Sequence, residues 1–255
     1  MARSGSVATG IALVLCLFIS ILPALAAEDV DLALVLVTDV SRSIDDSEFA
    51  LEKDGYAAAF TSAPVLSAIK NGPLGAIAVA YVEFASGFEV KTVLDWMVIR
   101  DAASARTFVE KLTAAPRSFW GRTAISAGID HAVGMLAESG YNASRRTIDV
   151  CGEGTNNAGR EVSAARDDAV AAGITINGLA IINEHPVSWT FAHVQPQGGL
   201  PRYYQENVTG GPGSFVMEVR EFKTFGEAMT RKLVAEIADR PVPTRHAGGV
   251  PAEPR

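Results

Sequence analysis

The apolar run Leu32-Ala33-Leu34-Val35-Leu36-Val37 gives way to Asp39-Val40-Ser41-Arg42-Ser43, and this junction constrains the fold more than any other stretch. Six consecutive apolar residues, partly β-branched and too few for an ordinary helix, predict a strand buried on both faces. Such strands belong to parallel sheets covered by helices. Ligands of open α/β sheets sit beyond the carboxyl ends of these strands. One carboxylate and two hydroxyls on alternate residues there are hard oxygen donors, suited to Mg²⁺ or Mn²⁺. The same residue types also end strands and cap helices, so Asp39, Ser41 and Ser43 have a purely structural reading too.

The rest of the chain alternates between strand and helix patterns. Asp45 with Glu48 three residues later is a capping-box variant, opening a helix that carries Phe49, Tyr56 and Phe60. Pro64 starts a second, shorter helix. Residues 77–84 predict a strand, and the alternating residues 88–94 predict its antiparallel edge partner across the link Ala85-Ser86-Gly87. Helical patterns follow at 101–114, from Thr123 to a stop at Gly140, at 160–172 and at 222–237, with a short one at 201–206. Between them lie strand patterns at 146–151, 174–182 and 215–219. The implied fold class is α/β: doubly wound, with a mostly parallel central sheet, one antiparallel edge strand and helices on both faces.

The ends read differently. Residues 1–26 show Arg3, an apolar core from Ile11 to Leu22 and the small-x-small site Ala24-Leu25-Ala26, the pattern of a secretory signal peptide. That core is short for a spanning helix. Cys16 lies inside it behind Leu15, which argues against lipidation. The domain is expected over 27–240, followed by a disordered Pro/Gly-rich tail at 241–255, and the location is expected to be periplasmic or secreted. About 230 residues after the leader are enough for one full core. Cys151 is then the lone cysteine, so stability must come from burial rather than a disulfide. A formal charge of −7 disfavours nucleic acid and anionic membranes as partners.

Two further stretches join the first junction. Thr123 lies in Gly121-Arg122-Thr123-Ala124, just before a helical pattern, and Glu153-Gly154 follows the strand-like Thr147-Ile148-Asp149-Val150-Cys151. Together with Asp39-Val40-Ser41-Arg42-Ser43, in that order, they resemble the metal-ion-dependent adhesion site of von Willebrand factor A domains. The resemblance covers roughly residues 30–239, and the chain is similar to an exported bacterial branch of that superfamily. It implies a Rossmann-like fold and a metal site made by Asp39, Ser41, Ser43, Thr123 and Glu153. It also implies a coordination position left open for a carboxylate from a protein partner with an exposed Asp or Glu. One residue departs from the pattern: the family's usual Asp stands here as Glu153. Its longer arm either reaches the ion directly or fails to sit where Asp would. Thr123 has a second reading as a helix N-cap.

Other chemistries lack an anchor. His131, His185, His193 and His246 show no zinc-type spacing with each other or with Cys151. No Gly-x-Ser-x-Gly elbow exists. Gly152-Glu153-Gly154 lacks the third glycine of a dinucleotide loop. Cys151 reads as a buried inert thiol, Asp149 as a hydrogen-bonded structural residue, and Asn156 and Asn157 as turn formers. The expected function is a non-enzymatic binding module. A metal-dependent hydrolase using the same ion, or a scaffold with a vestigial site, are the alternatives.

Overall fold

The computed structural model describes residues 27–182 and 196–239. The signal-peptide and tail expectations, and His185, His193 and His246, lie outside these residues.

The elements run β1 (Glu28–Val30), β2 (Leu32–Asp39), α1 (Asp46–Phe60), α2 (Ala63–Lys70), β3 (Ile77–Phe84), β4 (Val90–Ile99), α3 (Ala102–Ala114) and α4 (Ile125–Ala137). They continue with β5 (Tyr141–Ala143), β6 (Arg146–Gly152), α5 (Val162–Ala171), β7 (Thr175–Ile181), α6 (Leu200–Tyr203), β8 (Val216–Val219) and α7 (Phe225–Ile237). A π-helical turn, Tyr204–Val208, extends α6, and a 3₁₀ turn, Phe222–Thr224, leads into α7. Six strands form the central sheet in the order β4-β3-β2-β6-β7-β8, parallel except for β3 against β4.

Strand β2 is buried at every position, as its uninterrupted hydrophobicity requires. Its side chains alternate between two cores. Leu32, Leu34 and Leu36 join Tyr56 and Phe60 of α1, Phe108 of α3 and Phe225 of α7 on one face. Ala33, Val35 and Val37 join Ile125 and Ile129 of α4 and Val162 of α5 on the other. Asp45 caps α1, accepting from the Ser47 and Glu48 amides, while the Glu48 carboxylate accepts from the Asp45 amide. A box of this kind contributes about 1 kcal/mol.

The sequence reading stops the edge strand at Leu94, but β4 runs on to Ile99. Met97, Val98 and Ile99 continue the pairing past a register shift opposite Tyr81, and that bulge breaks the strict alternation. The small parallel pair β1–β5 has no sequence signal, because three-residue strands are shorter than any periodicity.

Strand β2 sits between β3 and β6, and the chain leaves it on opposite sides to reach them. The crevice at its carboxyl end is therefore the topological switch point of the sheet.

Candidate metal centre

Asp39 is the last residue of β2 and is completely buried. Its Oδ1 accepts the Ser41 amide at 2.8 Å, which turns the chain sharply off the strand. Oδ2 is buried and has no hydrogen-bond partner among the described residues. Burial raises the Asp39 pKa to about 6, against the opposing pull of the Ser41 hydrogen bonds and the Arg117 charge.

Three hydroxyls line up beside it. Thr123 Oγ1 donates to Ser41 Oγ at 3.1 Å, and Ser41 Oγ lies 3.3 Å from Ser43 Oγ. Thr123 is not the N-cap of α4. The capping position is Ala124, which forms no side-chain cap, and the Ser126 amide is taken by Asn156 Oδ1 from the following loop at 3.1 Å. Asn157 Oδ1 accepts the Thr123 amide at 3.0 Å, and the Asn157 and Ala158 amides donate back to the Thr123 carbonyl. The two asparagines thus do more than form a turn: Asn157 fixes the Thr123 backbone, and Asn156 takes the Ser126 amide at the start of α4.

Glu153 arrives from the end of β6 and is also buried. Burial holds the Tyr204 phenol well above its ordinary pKa, and the charges of Asp39 and Glu153 add to that shift. Gly152 brings this strand close. A Cβ there would lie 2.9 Å from the Asp39 Cβ and 2.9 Å from the Tyr204 hydroxyl, so no larger residue fits. Asp39, Ser41, Ser43 and Thr123 are linked by hydrogen bonds, and Glu153 follows the end of β6, the strand paired with β2.

Four residues that the sequence reading did not select support this edge. Arg117, with a 5% exposed side chain, donates to the carbonyls of Val40, Ser41 and Ile44 at 2.8 Å and of Phe119 at 3.0 Å. Its guanidinium lies between the Phe49 and Trp120 rings. Glu52 of α1 accepts from the Cys151 thiol at 3.2 Å, and burial with the charges of Asp39, Glu83 and Glu153 pushes its pKa up to about 8. Glu83 of β3 accepts the Ser118 amide at 2.8 Å and lies 3.7 Å from Lys53. Tyr204 seats its buried hydroxyl against Gly152. Glu52 and Lys53 do leave a trace in the sequence, as charges on the stripe that carries Phe49, Tyr56 and Phe60. Arg117 leaves none.

Burial holds the Cys151 thiol well above its ordinary pKa, which fits an inert group. Asp149 pairs with Lys232 and belongs to the packing of α7. His131 meets Thr92 Oγ1 at 2.7 Å on a helix flank.

The donor set suits a small divalent cation. Its neutral hydroxyls and carboxylates are hard ligands, and the unpartnered Asp39 oxygen is a buried lone pair of the kind a cation satisfies. Among the described residues, no group of three His, Cys, Asp or Glu side chains is arranged as a metal cluster. A hydroxyl-dominated site does not depend on one.

Comparison with known proteins bears on the fold. Residues 29–241 match the family model described as "Protein of unknown function (DUF1194)". The chain belongs to the DUF1194 family. No curated protein matches it. Among solved structures, this DUF1194 chain is similar to proximal thread matrix protein 1 of the mussel byssus with a zinc-occupied MIDAS motif. The TM-score is 0.59 at 21% identity, over 83% of this chain and 49% of that one. It is similar also to a von Willebrand factor type A protein of Catenulispora acidiphila, with TM-score 0.58 and 13% identity over 83% of this chain and 43% of that one. The pilus adhesin SpaC of Lactobacillus rhamnosus GG gives TM-score 0.57 and 13% identity over 82% of this chain and 31% of that one. The DUF1194 chain thus spans half or less of each neighbour's length, and its fold is of the von Willebrand A type. No helix among the described residues is long and apolar enough to cross a membrane.

Proposed function

We propose that this protein is an exported, non-enzymatic binding module. It holds Mg²⁺ or Mn²⁺ through Asp39, Ser41, Ser43, Thr123 and Glu153 and recognises an acidic group on another protein. Residues 1–26 act as its cleaved leader, and the domain over 27–240 is the working unit. The observation that carries this reading is the run of three hydroxyls against a buried, unpartnered Asp39 oxygen. The von Willebrand A neighbours support it, since they include a matrix protein with zinc at the corresponding motif and a pilus adhesin.

The bound ion supplies a Lewis-acidic position for a partner carboxylate, because neutral hydroxyls withdraw little of its charge. The protein does the rest. Ser41 and Ser43 present their hydroxyls on one side of a loop whose carbonyls are fixed by Arg117. Thr123 is positioned from a second loop by Asn157, and Glu153 from a third.

Titration calorimetry with Mg²⁺ tests the reading. Wild type binds one ion, Asp39→Ala abolishes binding, and Ser41→Ala with Ser43→Ala weakens it greatly. The ion stabilises the fold by about 2.7 kcal/mol at a hundredfold excess over its dissociation constant. Absence of Mg²⁺ and Mn²⁺ heat in wild type, or equal heat in Asp39→Ala, refutes it.

A further inference from the structure

Four large apolar side chains are exposed among the described residues, and the two most exposed are aromatic: Phe88 at 105% and Trp120 at 59%. Both stand beside the metal centre. Phe88 sits in the turn closed by the Glu89 amide donating to the Ser86 carbonyl at 2.9 Å. Trp120 immediately precedes Gly121, whose carbonyl accepts the Arg42 amide at 3.0 Å. The Arg122 amide donates to Ser86 Oγ at 2.8 Å, so the turn carrying Phe88, the loop carrying Trp120 and the Ser41–Ser43 loop are bonded into one rim.

The rim carries exposed cations within an acidic chain. The protein carries −7, yet Arg42, between Ser41 and Ser43, and Arg122, next to Thr123, are both exposed. Two carboxylates lie nearby and are held by other groups, Glu89 accepting the Ser86 amide and Asp46 facing Arg117 at 3.6 Å, which leaves the two arginine charges in excess over the Glu89 charge. Covering an exposed Phe with an apolar partner group is favourable, and Trp with Arg are the residue types that anchor interfaces.

We propose that Phe88, Trp120, Arg42 and Arg122 form the docking rim of the metal centre. Its partner is an acidic polypeptide segment that presents an aromatic or branched aliphatic side chain next to its carboxylate. The carboxylate takes the ion, the neighbouring apolar side chain lies against Phe88 and Trp120, and the arginines draw the acidic segment in. This inference rests on the metal-binding reading above and names the chemistry of its partner.

The experiment uses the folded protein with saturating Mg²⁺ and three capped, glycine-flanked peptides containing Asp-Phe, Asp-Gly or Asn-Phe, titrated by NMR. Wild type is expected to bind Asp-Phe about tenfold more tightly than Asp-Gly, with no Asn-Phe binding. Phe88→Ser and Trp120→Ser each reduce that preference to about twofold or less. Phe88→Ser leaves Mg²⁺ affinity by calorimetry unchanged, because its ring is wholly exposed. Arg122→Glu weakens both Asp peptides and steepens no salt dependence.

Equal wild-type affinity for Asp-Phe and Asp-Gly overturns the rim while leaving the metal reading intact. Mg²⁺ binding without any response to Asp peptides overturns the carboxylate reading and the rim together. A concentration-dependent dimer by sedimentation that Phe88→Ser abolishes overturns the acidic segment in favour of a second copy of the chain.

Discussion

Lys232 of α7 and Asp149 of β6 form an ion pair 2.6 Å long in which both side chains are fully shielded from solvent. Lys232 also reaches Glu236 one turn further along α7, and Asn177 of β7 donates to the same Glu236 Oε1 at 2.8 Å. One buried cation thus ties the last helix to two central strands. Desolvating these charges is costly, and the Lys232 ammonium offsets it by pairing with both carboxylates.

Lys232→Ala leaves Asp149 and Glu236 buried without their counter-charge. It is expected to destabilise the fold by about 3–5 kcal/mol, whereas a surface lysine such as Lys91 replaced by alanine costs less than about 0.5 kcal/mol. Urea unfolding of the two variants checks this.

The same cluster sets a pH dependence. Burial and the Asp149 charge push the Glu236 pKa up to about 7 from an ordinary 4.5, so the folded state holds its proton longer than the unfolded chain. Stability contributed by this group is therefore greatest below about pH 4.5, declines as pH rises towards 7 and then levels off. Glu236→Gln removes that decline, by an amount on the order of 1–3 kcal/mol. Urea midpoints of wild type and variant at pH 5, 6, 7 and 8 read it directly, and parallel curves would contradict it.

Arg117 holds the carbonyls of Val40, Ser41 and Ile44 in the loop after β2. Arg117→Lys keeps the charge but loses the fork, and a single ammonium cannot reach all of them. Mg²⁺ affinity by calorimetry is expected to fall about tenfold in Arg117→Lys, the usual scale for removing a group that orients metal ligands. Undiminished affinity would show that the loop holds its shape without the clamp.

Glu153 marks the departure from the von Willebrand A pattern. If its carboxylate ligates the ion, Glu153→Asp lowers metal affinity and raises Mg²⁺-dependent binding of an Asp peptide, since the open position becomes more electrophilic. Loss of a ligand alone does not produce that opposed pair of changes. A Glu153→Gln variant silent in both titrations removes Glu153 from the site.

The sequence by itself determined the sheet and its order of elements. Continuous hydrophobicity over 32–37, alternation over 88–94 and helical spacing after Thr123 are local consequences of which faces are buried, and the strands and helices formed where those patterns lie. It also placed Asp39, Ser41, Ser43, Thr123 and Glu153 at strand ends and loops, because donors in this fold gather at one edge. The tertiary structure alone decided what holds them. Arg117 lies 76 residues from the Ser41 carbonyl it clamps, and Asn157 lies 34 residues from the Thr123 amide it fixes. Lys232 meets Asp149 across 83 residues (232 − 149). Periodicity reports the environment of a face, not the identity of the group that faces it. Pairings of buried charge and the cap on α4 therefore emerge only when distant segments close on one another.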